Sequence, residues 1–353
     1  MINQVKSGAG RREIITDGRK TMMEQEKKIR ITKNALLGQA VGDAFGVPLE
    51  FLSRIRVRTL NITEMTGSDS ELPIDSRWGL KIPKGSWSDD TSMTVASMAS
   101  FIENDGRIDY DDQMNRFIKW WNGEDYCCLS YPFGLGRTVG AAMFRYQKKG
   151  LPVLECGGRE VNDNGNGALM RILPFSLYCI FHQLSAEETV LVTGNGSAIT
   201  HGHEISRLCC FIWTEFLRAI SEDADIKKAI SHIEAIPYQN WFSEESLDAV
   251  GFITKGRFSS IMGTDIEETG YVVDTLYSAL YSLYYADDYE TSILNAMNLG
   301  FDTDTAGAVT GMAAGMLYGL EGIPERWLNV LGRKDYLESV ARDFAGCFCG
   351  TDQ

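Results

Sequence analysis

Glycines at 307, 311, 315 and 319 recur at every fourth position through an apolar run from Ala306 to Leu320, with Ala306, Ala308, Ala313 and Ala314 between them. Residues four apart share a helix face, so the run predicts a helix with bare backbone along one side. Each glycine in a helix interior costs roughly 1 kcal/mol relative to alanine, and close approach of another helix is the reason to accept that cost. A membrane span is the rival explanation, because small residues at this spacing also pair helices in lipid. The run falls short of the roughly 20 apolar residues that cross a bilayer, and Glu321, Pro324 and Glu325 follow at once. A second ridge, Gly38, Gly42 and Gly46, lies in a helix predicted from residue 31 to 46, with Ala35, Leu36, Gln39, Ala40 and Asp43 on one face and Pro48 ending it. The two ridges are expected partners.

The glycine helix starts at a polar cluster. Asp302, Asp304 and Thr305 place two carboxylates and a hydroxyl where a turn becomes a helix. Such residues cap helices, but one cap needs one of them, and oxygen side chains are also what a hard cation takes. Ser88-Asp89-Asp90-Thr91 repeats the pattern more than 200 residues earlier, before a helix whose apolar side is Met93, Ala96, Met98, Ala99 and Ile102. Ser88 alone would suffice as a cap. Adjacent carboxylates repel unless a cation sits between them or one holds a proton. Together the clusters read as two halves of a dinuclear site; the EF-hand loop pattern is missing.

The remaining stretches carry weaker signals. Glu50-Phe51 is a loop that is either solvated or overhangs a site. Arg56 to Thr63 alternates weakly and predicts a short strand, and Pro73 and Pro83 mark loops. Helices are predicted around Met114–Trp121 and Arg137–Tyr146, joined by the loop Tyr131 to Gly136, whose glycines suit a turn where backbone meets ligand, with a plain turn the favoured reading. Asn164-Gly165-Asn166-Gly167 feeds a helix start; its exposed N–H groups suit phosphate, though a plain Asn-Gly turn fits equally, and neither a Walker lysine nor GxGxxG is present. Thr200-His201-Gly202-His203-Glu204 precedes a helix with Ile205, Leu208, Cys209, Ile212, Phe216 and Ile220 inward; without HExxH it reads as a hydrogen-bonding histidine, not a zinc site. A strong amphipathic helix is read within 270–296, with Val272, Leu276, Ala279, Leu280 and Leu283 inward, then a short one from Thr291 to Met297 and a last one from about Tyr336 to Phe344. With no βαβ pattern, the fold class is all-α: a single compact helical domain with a dinuclear metal cleft.

Of the 353 residues, 44% are hydrophobic, enough for a large core. The net charge of −14 argues against nucleic acid and anionic membrane as partners. Residues 1–30 stand apart, with eight Lys/Arg against four Asp/Glu. Gly8, Gly10 and Gly18 are expected to break any helix there, leaving a basic, flexible arm ahead of a domain at 31–353. It is either a disordered tail or an arm that reaches a partner. The eight cysteines form no CxxC pair, and the doublets Cys127-Cys128 and Cys209-Cys210 suit buried reduced thiols. No signal peptide or apolar span is visible, so a cytoplasmic protein is expected.

The ordered set GQAVGDAFGVPLEF (38–51), SDDTSM (88–93), NGNGALMRILP (164–174), THGHE (200–204), GYVVDTLYSAL (270–280) and GFDTDTAGAVTG (300–311) resembles the ADP-ribosylglycohydrolases, over about residues 31–345. The resemblance implies an all-helical domain with two Mg²⁺ ions (Mn²⁺ being the alternative) that hydrolyses the bond between ADP-ribose and a modified acceptor. It implies that Ser88, Asp89, Asp90, Asp302, Asp304 and Thr305 hold the metals. It implies that Glu50 stands near the scissile bond and that Asn164, Gly165, Asn166, Gly167 and His201 cradle the distal ribose and diphosphate. Asp304 is expected to position water, and Glu50 to serve the leaving group. The leaving group of an arginine acceptor must depart protonated, and carboxylates stabilise an oxocarbenium-like state. Ser88 stands where threonine is usual and keeps the hydroxyl; Phe301 stands where a second glycine is common and would narrow the cleft. The expected partner is an ADP-ribosylated protein, arginine first, or a small ADP-ribose conjugate. The alternative is an immunity protein whose arm 1–30 blocks an ADP-ribosyltransferase toxin, alone or alongside hydrolysis. A purely structural role, as in some lens crystallins, is disfavoured because all six metal positions keep oxygen side chains.

Overall fold

The computed structural model describes residues 9–67, 81–260 and 269–349, with side chains from Met22 onward. Among the described residues there is no strand, and the all-α expectation holds. In chain order the helices are α1 (Ala9–Gly46), α2 (Arg54–Leu60), α3 (Asp89–Glu103), α4 (Tyr110–Trp121), α5 (Arg137–Phe144), α6 (Leu173–Phe181), α7 (Ala186–Ala198) and α8 (Glu204–Glu222). They continue with α9 (Ile226–Glu234), α10 (Glu244–Ala249), α11 (Gly251–Thr254), α12 (Val272–Tyr284), α13 (Tyr289–Met297), α14 (Thr303–Tyr318), α15 (Glu325–Leu328) and α16 (Lys334–Gly346).

The centre is α14, buried from Thr303 to Gly315, with α1 lying along it. The two glycine ridges face each other as expected. A Cβ on Gly42 would overlap the Gly307 carbonyl oxygen, one on Gly307 would overlap the Gly42 oxygen, and Gly38 and Gly311 are related in the same reciprocal way. Gly46 meets the start of α14, where Thr303 Oγ1 donates to the Gly46 carbonyl at 2.8 Å. Tyr289 donates to the Gly38 carbonyl at 2.6 Å, bonding a backbone that the missing side chains leave accessible. Side-chain caps fix other helix starts: Ser88 for α3, Asp109 for α4, Ser185 with Glu188 for α7, and Asp288 for α13.

Two local expectations are corrected. The predicted strand at 56–63 is α2, with Ser53 accepting from Arg56 N at 3.3 Å and Val57 as its buried residue; the weak alternation was a single helical turn's inward residue. Gly10 and Gly18 lie inside α1, which starts at Ala9, not near Ile31. Once residues 31–46 are packed, extending a helix needs no new nucleus, and roughly 1 kcal/mol per glycine does not stop it. As expected, α1 stops just before Pro48, at Gly46, and the proline sits in a 3₁₀ turn, Val47–Leu49. Gly8 and Pro73 fall outside the described residues. No helix among the described residues is long and apolar enough to cross a membrane.

Candidate active site

The starts of α3 and α14 and the end of α1 meet at a cavity of about 410 Å³. On α3, Ser88 Oγ donates to Asp90 Oδ2 at 2.8 Å and accepts from Asp90 N at 3.4 Å, so this serine is both cap and partner of a site carboxylate. Asp302 opens α14 without a side-chain cap bond. Its carboxylate instead accepts from Asn166 Nδ2 at 2.9 Å, and Asn166 is steadied by Thr275 Oγ1 at 3.0 Å. Capping therefore does not account for Asp302. Asp304 Oδ1 accepts from Thr305 N at 2.9 Å.

Glu50 follows the 3₁₀ turn after α1. Its chain is held by Phe51 N to the Phe301 carbonyl at 2.5 Å and Phe301 N to the Leu52 carbonyl at 2.7 Å. Phe51 and Phe301 both adopt positive φ, 62° and 59°. This pairing brings oxygens of Glu50, Asp302 and Asp304 within 4.8 Å of one another. Asp89, Asp304 and Thr305 line the same cavity, while Ser88 and Asp90 lie behind its wall.

The 164–167 loop touches the carboxylates through Asn166 and is tied to residues 270–272 by Asn166 N to the Gly270 carbonyl (3.1 Å) and Val272 N to the Asn164 carbonyl (3.0 Å). Gly165, Asn166, Gly167 and His201 line the cavity. Asn164 does not. Its side chain accepts from Ser206 at 2.8 Å and donates to the Val161 carbonyl at 3.1 Å, so it shapes the loop from behind. His201 is buried, with Nδ1 2.9 Å from Thr200 Oγ1; burial, and then the Arg171 charge, push its ionisation down to about 3.

Two features have no place in the sequence reading of the site. Asp43 of α1 accepts from Ser88 N at 2.9 Å, from Thr91 N at 3.1 Å and from Thr91 Oγ1 at 2.6 Å, clamping the first turn of α3. Its one sequence signal is a carboxylate on an apolar face. The loop read as a plain turn, Gly134 to Gly136, forms cavity wall; Gly134 has φ 95°, and a Cβ there would overlap Asp89 Oδ1.

The electrostatics are those of crowded buried carboxylates. Burial pushes Asp43 up to about 6, against the hydrogen bonds from Thr91 and Ser88. Burial raises Asp89, Asp90 and Asp304 well above the usual carboxylate range; next in weight are Asp43 for Asp89 and Asp90, and Glu50 for Asp304. Among the described lining residues the one cationic side chain is Arg137, largely exposed at the rim. Asp90 Oδ1 is buried with no hydrogen-bond partner. An all-oxygen donor set, excess negative charge and an orphaned carboxylate oxygen fit a hard divalent cation.

The sequence model of the ADP-ribosylglycohydrolases matches residues 24–353. The chain is 29% identical to the ADP-ribosylarginine hydrolase Tri1 of Serratia proteamaculans, covering 91% of this chain and 80% of that one. It is 28% identical to the ADP-ribosyl-dinitrogen reductase glycohydrolase of Rhodospirillum rubrum, covering 85% and 90%. A solved structure described as an ADP-ribosylglycohydrolase-related protein complex superposes with a TM-score of 0.71 at 26% identity, over 91% of this chain and 99% of that one. With the family matched over nearly its whole length, the chain belongs to the ADP-ribosylglycohydrolases and is a glycohydrolase enzyme.

Proposed function

We propose that this enzyme is a Mg²⁺-dependent ADP-ribosylarginine hydrolase that reverses the modification on protein. The observation that carries the reading is the meeting of Glu50, Asp89, Asp302 and Asp304 in one cavity that the glycine loop 165–167 and His201 also line. That lining suits a substrate that carries both a polyol with a glycosidic bond and a diphosphate. The name of the Serratia relative favours arginine as acceptor.

Ser88, Asp89, Asp90, Asp302, Asp304 and Thr305 would hold two Mg²⁺ ions, which supply Lewis-acid polarisation and fix ribose hydroxyls when bound. Asp304, itself buried, positions the attacking water and accepts its proton. Glu50, on the loop after the 3₁₀ turn and beside Asp304, gives the departing guanidine the proton with which it leaves, balanced by the proton that Asp304 takes from water. The buried carboxylates stabilise positive charge developing at the anomeric carbon. The backbone N–H groups of the 165–167 loop are donors for the diphosphate. We place the enzyme in the cytoplasm, where buried thiols such as Cys209 and Cys210 stay reduced.

The test is release of ADP-ribose from arginine-modified protein with Mg²⁺, with Mn²⁺ and with EDTA, beside Asp304→Ala. Metal-dependent release lost in the variant supports the reading. ADP-ribose binding without release from arginine moves the acceptor to serine, a base or a small conjugate.

Blocking of a toxin through the N-terminal arm stands as a second reading, favoured by the position of the first 23 residues outside the family match and by exposed Met22 and Met23. Deleting residues 1–23 separates the two: hydrolysis survives while capture of an ADP-ribosyltransferase is lost.

A further inference from the structure

His201 is held from behind. Arg171, fully buried, donates from Nη2 to Thr200 Oγ1 at 2.6 Å and to the Gly196 carbonyl at 3.1 Å, and its guanidinium lies 5.0 Å from the centre of the Phe117 ring. Among the described residues no carboxylate pairs with it, and its Nε and Nη1 have no hydrogen-bond partner. Thr200 Oγ1 lies 2.9 Å from His201 Nδ1.

A guanidinium only donates, so the Thr200 oxygen accepts from Arg171. The hydroxyl has one proton, and Thr200 is fully buried. Nδ1 is the acceptor within reach. Were the imidazole proton on Nδ1, both neighbours of Thr200 would donate to it, and the hydroxyl proton would be stranded in the interior, which is costly. The donors therefore run outward, from Arg171 to Thr200 to Nδ1, and the imidazole proton sits on Nε2. That nitrogen faces the glycine loop: it lies 3.6 Å and 3.5 Å from the positions that a Cβ would take on Gly165 and Gly167.

We propose that Arg171 and Thr200 are positioning residues that lock His201 as a neutral Nε2–H donor aimed into the cavity, toward an oxygen acceptor on the ADP-ribose part of the substrate. The ligand named here rests on the functional reading above; the tautomer does not. One consequence is that His201 takes no part in proton transfer. Its Nδ1 is occupied, its Nε2 is already protonated, and acid–base work falls to the carboxylates that line the same cavity. The relay also gives an unpaired buried arginine a purpose, because its charge orients the Thr200 hydroxyl and disfavours imidazolium.

The test is long-range ¹H–¹⁵N NMR on the ¹⁵N-labelled full-length protein, which has only four histidines, with His201 assigned by its loss in His201→Gln. Binding of ADP-ribose is followed by calorimetry. The expected result is a proton on Nε2 and none on Nδ1, unchanged between about pH 5.5 and 8.5. Thr200→Val keeps the shape and removes the hydroxyl; mixed tautomers and an affinity for ADP-ribose weakened about tenfold are expected, with Thr200→Ser restoring both. A wild-type His201 that is protonated on Nδ1 or titrates near neutral pH overturns the relay, and that measurement needs no variant to fold. A Thr200→Val protein with tautomer and affinity unchanged overturns it too. Wild-type protein that fails to bind ADP-ribose overturns the functional reading and the ligand assigned to Nε2, while the wild-type spectrum still decides the tautomer.

Discussion

Asp43 does its work through other residues. It holds two backbone N–H groups and a hydroxyl at the turn that carries Asp89 and Asp90. Asp43→Ala would strand those donors in the interior and is expected to lower stability by roughly 3 kcal/mol, read as a lower urea midpoint, and to abolish activity by releasing the turn. Asp43→Asn, which keeps one acceptor oxygen, should fall between. Asp304→Asn should behave oppositely in stability. It removes one of several mutually repelling buried carboxylates, so ADP-ribose release should fall by roughly 10³-fold while the melting temperature in EDTA holds or rises. At this scale the sequence was legible where oxygen side chains crowd a helix start, as at Ser88–Thr91 and Asp302–Thr305. Asp43 and Gly134 were not, because their roles are defined by Ser88, Thr91 and Asp89, which only the fold brings to them.

The pairing of α1 with α14 aligns the site, since Gly46 and Thr303 hold together the ends from which Glu50 and Asp304 extend. Gly42→Ala should gain roughly 1 kcal/mol in helix propensity and still destabilise by roughly 1–3 kcal/mol, because its Cβ would overlap the Gly307 carbonyl and force the helices apart. Gly346→Ala, at the end of α16 with nothing within 4 Å of the added carbon, is the control and should be neutral or stabilising. Equal effects in thermal melts would mean that the ridges do not set the spacing. Both ridges were readable because a four-residue repeat is a property of one segment, and two such repeats need each other. The short α2 was misread because one buried residue, Val57, leaves no period to recognise.

Taken whole, the molecule carries a net charge of −14 and concentrates six mutually interacting carboxylates (Asp43, Glu50, Asp89, Asp90, Asp302 and Asp304) at one cavity. Its stability should therefore be linked to pH and to metal together. A carboxyl whose ionisation is raised by folding binds its proton more tightly folded than unfolded. The stability it contributes is complete below its unfolded value near 3.8 and is lost as pH rises through the folded value, about 6 for Asp43 and raised likewise for Asp89, Asp90 and Asp304. His201 pulls the other way: held neutral with its ionisation near 3, it adds stability as pH rises toward its unfolded value near 6.5. The quantity to follow is thus the difference between melts in Mg²⁺ and in EDTA, in which the His201 contribution cancels. Mg²⁺ competes with the protons for these carboxylates, so that difference should be small near pH 5, grow through pH 7, and reach about 2.7 kcal/mol at a hundredfold excess over Kd. Asp304→Asn should shrink it at every pH. A difference that stays flat from pH 5 to 8 would mean that the buried carboxylates are not where the metal binds.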